Sequence, residues 1–287
     1  MDSAPKANGE AGVLRGRRIL VTGIADGASL ALNVAKVLQS EGAELICTGL
    51  GPSRHAVGLS ERATKHLEAA FDSFRTTVST ELGPETRTVA CDLSRDESID
   101  DLVAWLGESS LEIDGVLHAV AFDRTLRAGA SAPLLETSRE AFAECMNVSA
   151  YSLIALLRGL ISGGRLAEGA GVVSLSYVGA ERVVSHPYKN VGIAKAALER
   201  ITVELAAELG PLRGVRVNAI RFSPYAASRA GGAIPGLVEA QESAQERSPL
   251  GNATPFALGA EVVHLMRPGV AITGEIRNVD GGLHVLG

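Results

Sequence analysis

Apolar positions along this chain follow two alternating rhythms. Short runs in which most residues are apolar or small read as strands buried on both faces. They fall at 17–23 (RRILVTG), 43–48, 86–91, 114–121 (DGVLHAVA), 171–176 (GVVSLS), 214–220 (GVRVNAI) and 275–279. Between them, apolar residues recur at helical spacing. In 29–42, Leu30, Val34, Val37 and Leu38 share one face and Gly42 follows as a stop. Further helices are expected at 96–106, capped near Ser94, at 137–161 as one long helix, at 189–209 and at 255–266.

Strands alternating with helices predict a parallel sheet covered on both sides. About seven strands in one uninterrupted series predict an α/β fold, a single doubly wound, Rossmann-type domain. It spans 14–287, after a flexible tail at 1–13 that is polar throughout. Two stretches stand apart. Residues 51–84 form a long connection with helical signals of its own. Residues 224–249, rich in Ala, Gly and Ser, follow a strand's carboxyl end, where a lid belongs.

Composition narrows the function classes. Of 287 residues, 46% are hydrophobic and 21% charged, which excludes a disordered chain. A net charge of −6 argues against nucleic acid and anionic membrane surfaces as partners. The N-terminus lacks the apolar core of a secretory signal. No apolar run approaches the ~18 residues a spanning helix needs, and the longest, around 152–161, is broken by Arg158. Cys47, Cys91 and Cys145 sit in no metal-ligand spacing and read as buried thiols of a reducing cytoplasm, so no metal is expected.

The first strand ends at Gly23, and a helix opens at Ser29 and Leu30, leaving amides free for a pyrophosphate. The glycine spacing is looser than G-x-G-x-x-G, so this turn alone decides little. The second strand runs into Thr48-Gly49-Leu50, without the acid that would hold ribose hydroxyls, while Arg54 stands where a 2′-phosphate could be met. The residues leave NADH against NADPH open. Asp92, beside Leu93, is placed either to bind an adenine amino group or to cap a helix.

Tyr188 and Lys195 are the sharper signal. Seven residues of helix, at 100° each, bring them to within ~20° of one direction. Tyr177 ends the preceding strand, so two phenols and an ammonium converge at the sheet's carboxyl edge, where ligands bind.

The string Ser176-Tyr177-Val-Gly-Ala-Glu-Arg182 followed by Tyr188-x6-Lys195 resembles the enoyl-[acyl-carrier-protein] reductases, a divergent branch of the short-chain dehydrogenase/reductases. The likeness runs from Arg17 to the chain's end. It takes in Gly23-x5-Ser29-Leu30-Ala31, Asp92-Leu93, His118, Ala150-Tyr151-Ser152, the segment at 214–219 and Val279-Asp-Gly-Gly282. Ordinary short-chain dehydrogenases carry Tyr-x3-Lys; here Val191 stands four residues before Lys195 and cannot donate a proton. The resemblance implies hydride transfer from NAD(H), favoured over NADP(H), to the 2,3 double bond of an enoyl thioester. It implies Tyr188 as donor to the thioester oxygen, Lys195 on the nicotinamide ribose and Tyr177 lining the acyl site. Gly23, Ser29, Leu30, Leu50, Asp92, Leu93, Val120, Lys195, Pro224, Tyr225 and Ser228 are implied to bind the cofactor, and Asp123, Tyr177 and Tyr188 the substrate. An acyl-carrier-protein or coenzyme A thioester is the implied partner, with a homotetramer or dimer built through the helices opening at Thr137 and Lys189. Arg229 and Arg247, flanking the lid, are candidates to meet an acidic carrier.

Several residues depart from the family's pattern. Ala121 stands where glycine is usual, Asp123 brings a carboxylate to the acyl pocket, and Phe222 and Tyr225 are bulky beside the nicotinamide. The threonine expected against the pyrophosphate is replaced by Ala227 or Ser228, depending on register. Asn147 reads either as the proton-relay asparagine of ordinary dehydrogenases or as a helix-kinking residue bound to backbone. These changes point to a specialised acyl chain, such as a polyketide. A carbonyl or imine reductase and a non-catalytic dinucleotide-binding protein are the alternatives.

Overall fold

A computed structural model describes residues 12–52, 60–127 and 130–286. Arg54 and residues 1–11 of the expected tail lie outside these residues. The strands are β1 (Arg18–Val21), β2 (Glu44–Gly49), β3 (Arg87–Ala90), β4 (Ile113–His118), the short pair β5 (Leu126–Arg127) and β6 (Ala130–Ser131), β7 (Leu166–Tyr177), β8 (Arg216–Phe222) and β9 (Ile276–Val279). All but β5 and β6 form a seven-stranded parallel sheet in the order β3-β2-β1-β4-β7-β8-β9. This is the expected doubly wound sheet. Connections run outward in both directions from the β1–β4 boundary, which opens a crevice at the strands' carboxyl ends.

The helices are α1 (Leu30–Ser40), α2 (Glu61–Leu82), α3 (Asp96–Glu108), α4 (Arg139–Met146), α5 (Ser152–Ser162), α6 (Lys189–Arg213), α7 (Arg229–Gly232), α8 (Leu237–Arg247) and α9 (Pro255–Met266). Period-two alternation in the strands splits the core in two. Leu20, Val116 and Val172 face α3, α5 and α6, while Ile19, Leu117 and Val173 face α1, α2 and α9. All three cysteines are free and buried, and burial raises the Cys47 and Cys91 thiols to about 12 and Cys145 to about 11.

The structure corrects several boundaries. The connection at 51–84 holds a helix of 22 residues, α2, with Ser60 capping it by accepting from the Ala63 amide at 3.2 Å. The residue preceding α3 is Arg95, and Ser94 instead turns back to the Asp92 carboxylate. The long helix expected at 137–161 is broken by a π turn at Asn147–Tyr151. Asn147 Nδ2 donates to the Ser94 carbonyl at 3.0 Å, so the backbone-bound alternative holds. Within the continuous helical run Arg139–Ser162, an 18-residue window has a mean hydropathy of 1.4, long and apolar enough to cross a membrane, contrary to the expectation from sequence. Half of that window is buried, and Leu153, Leu156, Leu157 and Leu160 pack into the core, which makes it a core helix here. Residues 224–249, expected as a lid, carry α7 and α8; Gln241 ties them down by accepting from the Ala226 amide at 2.7 Å.

Candidate active site

The crevice holds two cavities that share a wall. The first, about 430 Å³, lies over the β1–α1 turn, a size ordinary for a ligand site. Gly23 begins it with φ +86°, and a Cβ there would sit 2.1 Å from the Ala119 carbonyl oxygen, so the turn admits only glycine. Contrary to the expectation from sequence, not all of the turn's amides are free. Ser29 Oγ accepts from the Ala25 and Asp26 amides at 2.9 and 2.8 Å and rigidifies the loop. The amides of Leu30 and Ala31, in the first turn of α1, still lack intrahelical acceptors.

Leu50, at the end of β2, and Asp92 and Leu93, after β3, form the far side of this cavity. Asp92 Oδ1 accepts from Ser94 N and Oγ at 3.0 and 2.6 Å, a local turn rather than a cap on α3. Val120 completes the near wall, and Ser228 closes it from the lid segment. Ser228 lines both cavities whereas Ala227 lines neither.

Tyr188 immediately precedes α6, and Lys195 follows two turns on; both line the first cavity. Lys195 is 4% exposed, and its Nζ donates to the Val120 carbonyl at 3.0 Å. Burial lowers its pKa to about 8. Burial pushes the Tyr188 phenol up, and Tyr177 to about 12. The two tyrosine rings meet edge to face with centroids 5.1 Å apart.

Tyr188 also lines the second cavity, about 470 Å³, together with Tyr177 and Asp123. Asp123 Oδ1 accepts from Thr125 N and Oγ1 at 2.8 and 2.7 Å, so its carboxylate serves a local turn. Pro224, Phe222 and Tyr225 line this cavity and not the first. Tyr225 reaches across to the glycine turn, donating to the Ala28 carbonyl at 2.8 Å.

Several residues that sequence reasoning passed over complete the arrangement. Ser176 lines both cavities and donates to Glu199 Oε1 at 2.7 Å. Arg221 clasps Glu199 with Nε at 2.8 Å and Nη2 at 2.7 Å, and also meets Glu181. Glu199 lies one turn beyond Lys195 on α6, a spacing that could have drawn attention to it. Arg182 donates to the Leu283 carbonyl at 2.9 Å and to that of Leu286, anchoring the C-terminal segment. The Glu-Arg pair of the quoted string is therefore scaffold. His118 is buried, with Nε2 2.8 Å from Ser152 Oγ. His186 lines the second cavity and packs against both tyrosine rings. Arg247 is exposed at the end of α8, and the Arg229 side chain lies outside the described residues. No metal-ligating cluster occurs among the described residues.

The chain is similar to known proteins over nearly its whole length. The family model described as Enoyl-(Acyl carrier protein) reductase matches residues 23–284. An NADH-dependent enoyl-[acyl-carrier-protein] reductase of Aquifex aeolicus is 35% identical over 96% of this chain and 94% of its own. An NADPH-dependent one of Staphylococcus aureus is 32% identical over 95% and 98%. The Bacillus cereus enzyme solved with NADP+ and an indole naphthyridinone superposes with a TM-score of 0.81 at 32% identity, covering 96% and 99% of the two chains. The Aquifex aeolicus structure gives 0.80 at 33% identity, with coverages of 96% and 99%. Paired tyrosines and a buried lysine around the crevice of a doubly wound sheet, over a chain matched nearly end to end, make this protein a member of the enoyl-[acyl-carrier-protein] reductase family.

Proposed function

We propose that this chain reduces the 2,3 double bond of an enoyl thioester, with NADH favoured over NADPH, in fatty-acid or specialised polyketide biosynthesis. One observation carries the reading: Tyr188 lines both cavities, so its phenol stands where a cofactor in the first meets an acyl chain in the second. The first cavity fits a dinucleotide. A pyrophosphate would lie against the Leu30 and Ala31 amides, an adenosine between Leu50, Asp92 and Leu93, and the nicotinamide ribose against Lys195. The bound cofactor supplies a hydride to the β-carbon of the thioester.

Negative charge then develops on the thioester oxygen, where Tyr188 donates its proton as a hydrogen bond. With its pKa raised by burial, the phenol is protonated at neutral pH and is a donor in the state required. Lys195 holds the ribose hydroxyls and places a positive charge nearby, favouring charge on that side of the site. Tyr177 packs edge-on against Tyr188 and restrains its ring. Val191, buried in the second cavity, offers no proton where an ordinary dehydrogenase keeps its tyrosine. Asn147, bound to the Ser94 carbonyl, is committed away from a relay. Both weigh against the carbonyl-reductase alternative.

The carrier is an acyl carrier protein in preference to coenzyme A, with Arg247 at the lid as its candidate contact. A homotetramer or dimer is supported by the half-exposed apolar side chains of Phe142, Tyr151 and Ile193 along α4, the π turn and α6. The three free, buried thiols fit a reducing compartment such as the cytoplasm.

Oxidation of NADH and NADPH is followed in parallel on a short 2-enoyl thioester and the matching 3-keto thioester. Enoyl-dependent oxidation is expected, with Tyr188→Phe lowering kcat by ~10²–10³, the range for losing one oxyanion donor. Lys195→Ala is expected to raise the KM for cofactor. Turnover of the ketone alone overturns the reading.

A further inference from the structure

The π turn at Asn147–Tyr151 interrupts the helical run formed by α4 and α5. Such turns are rare and frequently mark functional sites. Polar side chains in and just after it bond to segments at the carboxyl ends of the strands. Asn147 Nδ2 donates to the Ser94 carbonyl at 3.0 Å, beyond β3. Ser152 Oγ lies 2.8 Å from His118 Nε2, at the end of β4. Ser149, between them and fully buried, takes both polar groups of one backbone residue. Its Oγ accepts from the Phe122 amide at 2.9 Å and donates to the Phe122 carbonyl at 3.2 Å.

This use of a helical serine is unusual. A buried serine inside a helix commonly returns its proton to the carbonyl four residues back, as Ser152 does with Val148 at 2.6 Å. Ser149 sends its proton across to another segment instead.

That segment is the loop 119–123, which follows the last residue of β4. Outside the ladder, side chains hold it. Thr22 Oγ1 accepts from the Ala119 amide at 3.1 Å, and the Val120 carbonyl accepts from Lys195 Nζ at 3.0 Å. Ser149 supplies the tie at the far end. These five residues also furnish wall to both cavities. Ala119 and Val120 line the first, Phe122 and Asp123 the second, and Ala121 lines both. One hydroxyl thus fixes the backbone that carries both the carbonyl meeting Lys195 and the wall of the acyl cavity.

We propose that Ser149 is a positioning residue for the reduction, acting through the Phe122 backbone to keep the Lys195 acceptor and the acyl wall in place beside Tyr188. This rests on the reductase reading above and assigns a residue to it that touches neither cofactor nor substrate. With the loop held, the ammonium and the acyl chain meet a fixed frame. With it loose, both lose alignment with the phenol.

The test uses the full chain with saturating cofactor and a short 2-enoyl thioester. Ser149→Ala leaves the Phe122 amide and carbonyl without their partner. It is expected to lower kcat about tenfold or more, the loss that follows a small misplacement of reacting groups, and to raise the KM for the enoyl thioester. Ser149→Thr, which keeps the hydroxyl, is expected to recover most of kcat. Asn147→Ala is the comparison. It frees the same turn from Ser94, on the adenosine side of the first cavity. At saturating cofactor it is expected to leave kcat and the enoyl KM close to wild type while raising the KM for cofactor. Thermal melts accompany each variant, because a serine with a structural role alone would lower the melting point and spare the kinetics of the folded protein. That result in Ser149→Ala overturns the proposal. Equal losses of kcat in Asn147→Ala also overturn it, since they assign the effect to the turn as a whole. If the wild-type protein oxidises no cofactor with any enoyl thioester, the reductase reading fails separately. Titrations of wild type and Ser149→Ala with NADH then read the loop through Lys195: weaker binding by the variant upholds its positioning, and equal affinities overturn it.

Discussion

Burial pulls the Lys195 ammonium down to about 8, while the same loss of solvent keeps both tyrosines protonated well past neutrality. Below pH 8 the site therefore holds a charged lysine and two neutral phenols. As pH rises through about 8, Lys195 loses its proton and its grip on ribose hydroxyls. A pH profile of kcat/KM for the cofactor, which reports the free enzyme, is expected to be level below about 8 and to fall above it. A profile still level two units above that value would contradict the role given to Lys195. Stability carries the opposite sign. Between about 8 and the ordinary lysine value near 10.5 the unfolded chain binds more protons than the folded one, so stability rises with pH across that window. The pairing of Tyr188 with Lys195 was readable from spacing because a helix imposes its own periodicity. His186 was not, since nothing local distinguishes it; only the approach of β7 and α8 buries its ring.

Among the elements, the turn Val178–Ala180 that follows β7 sets where Tyr188 sits. A Cβ on Gly179 would lie 2.5 Å from the Tyr188 ring, and one on Gly192 would lie 2.7 Å from the Gly179 carbonyl oxygen. The two glycines let this turn press against the start of α6. Gly179→Ala is expected to displace the Tyr188 ring, lowering kcat at least tenfold while destabilising the fold by ~1–3 kcal/mol, as overpacking does. Steady-state kinetics beside thermal melts separates the two effects; unchanged kcat would show that the ring tolerates the shift. The strands of the main sheet and the helices α1, α3, α6 and α9 were readable, because amphipathic faces and buried strands write their periods into the chain, whereas α7, α8 and the short pair β5 and β6 were not. The break at Asn147 was legible only as one of two readings of that asparagine, for the choice between them rests on a carbonyl on a loop far away in sequence.

For the molecule as a whole, a buried ion pair, joined by one exposed carboxylate, ties the site to its frame. Glu199 on α6 and Arg221 on β8 are 10% and 13% exposed, and Glu181 joins them from the turn after β7. Removing Arg221 strands a carboxylate in a dry place. Arg221→Ala is expected to cost ~3–5 kcal/mol, the usual penalty for breaking a buried pair. At ~2–4 °C per kcal/mol for a chain of this order, melting should fall by roughly ten degrees. The doubly apolar variant Arg221→Met with Glu199→Leu is expected to recover most of the loss. A melting point unchanged in the single variant would show the cluster to be solvated.

The order of strands and helices, the doubly wound sheet and the convergence of Tyr177, Tyr188 and Lys195 at its edge follow from the chain's own periodicity, since each rests on local geometry and one topological rule. The resemblance to the reductase family stood on a short string of residues for the same reason. Folding alone decided the rest: which amides of the glycine turn remain free once Ser29 has taken two, and which of Ala227 and Ser228 meets the cavities. It also set the scaffold part of Glu181 and Arg182, and the corner in which the His186 ring is buried against Tyr177 and Tyr188. Those are contacts between segments far apart in sequence, and a linear pattern carries no record of which side chains the packing will bring within bonding distance.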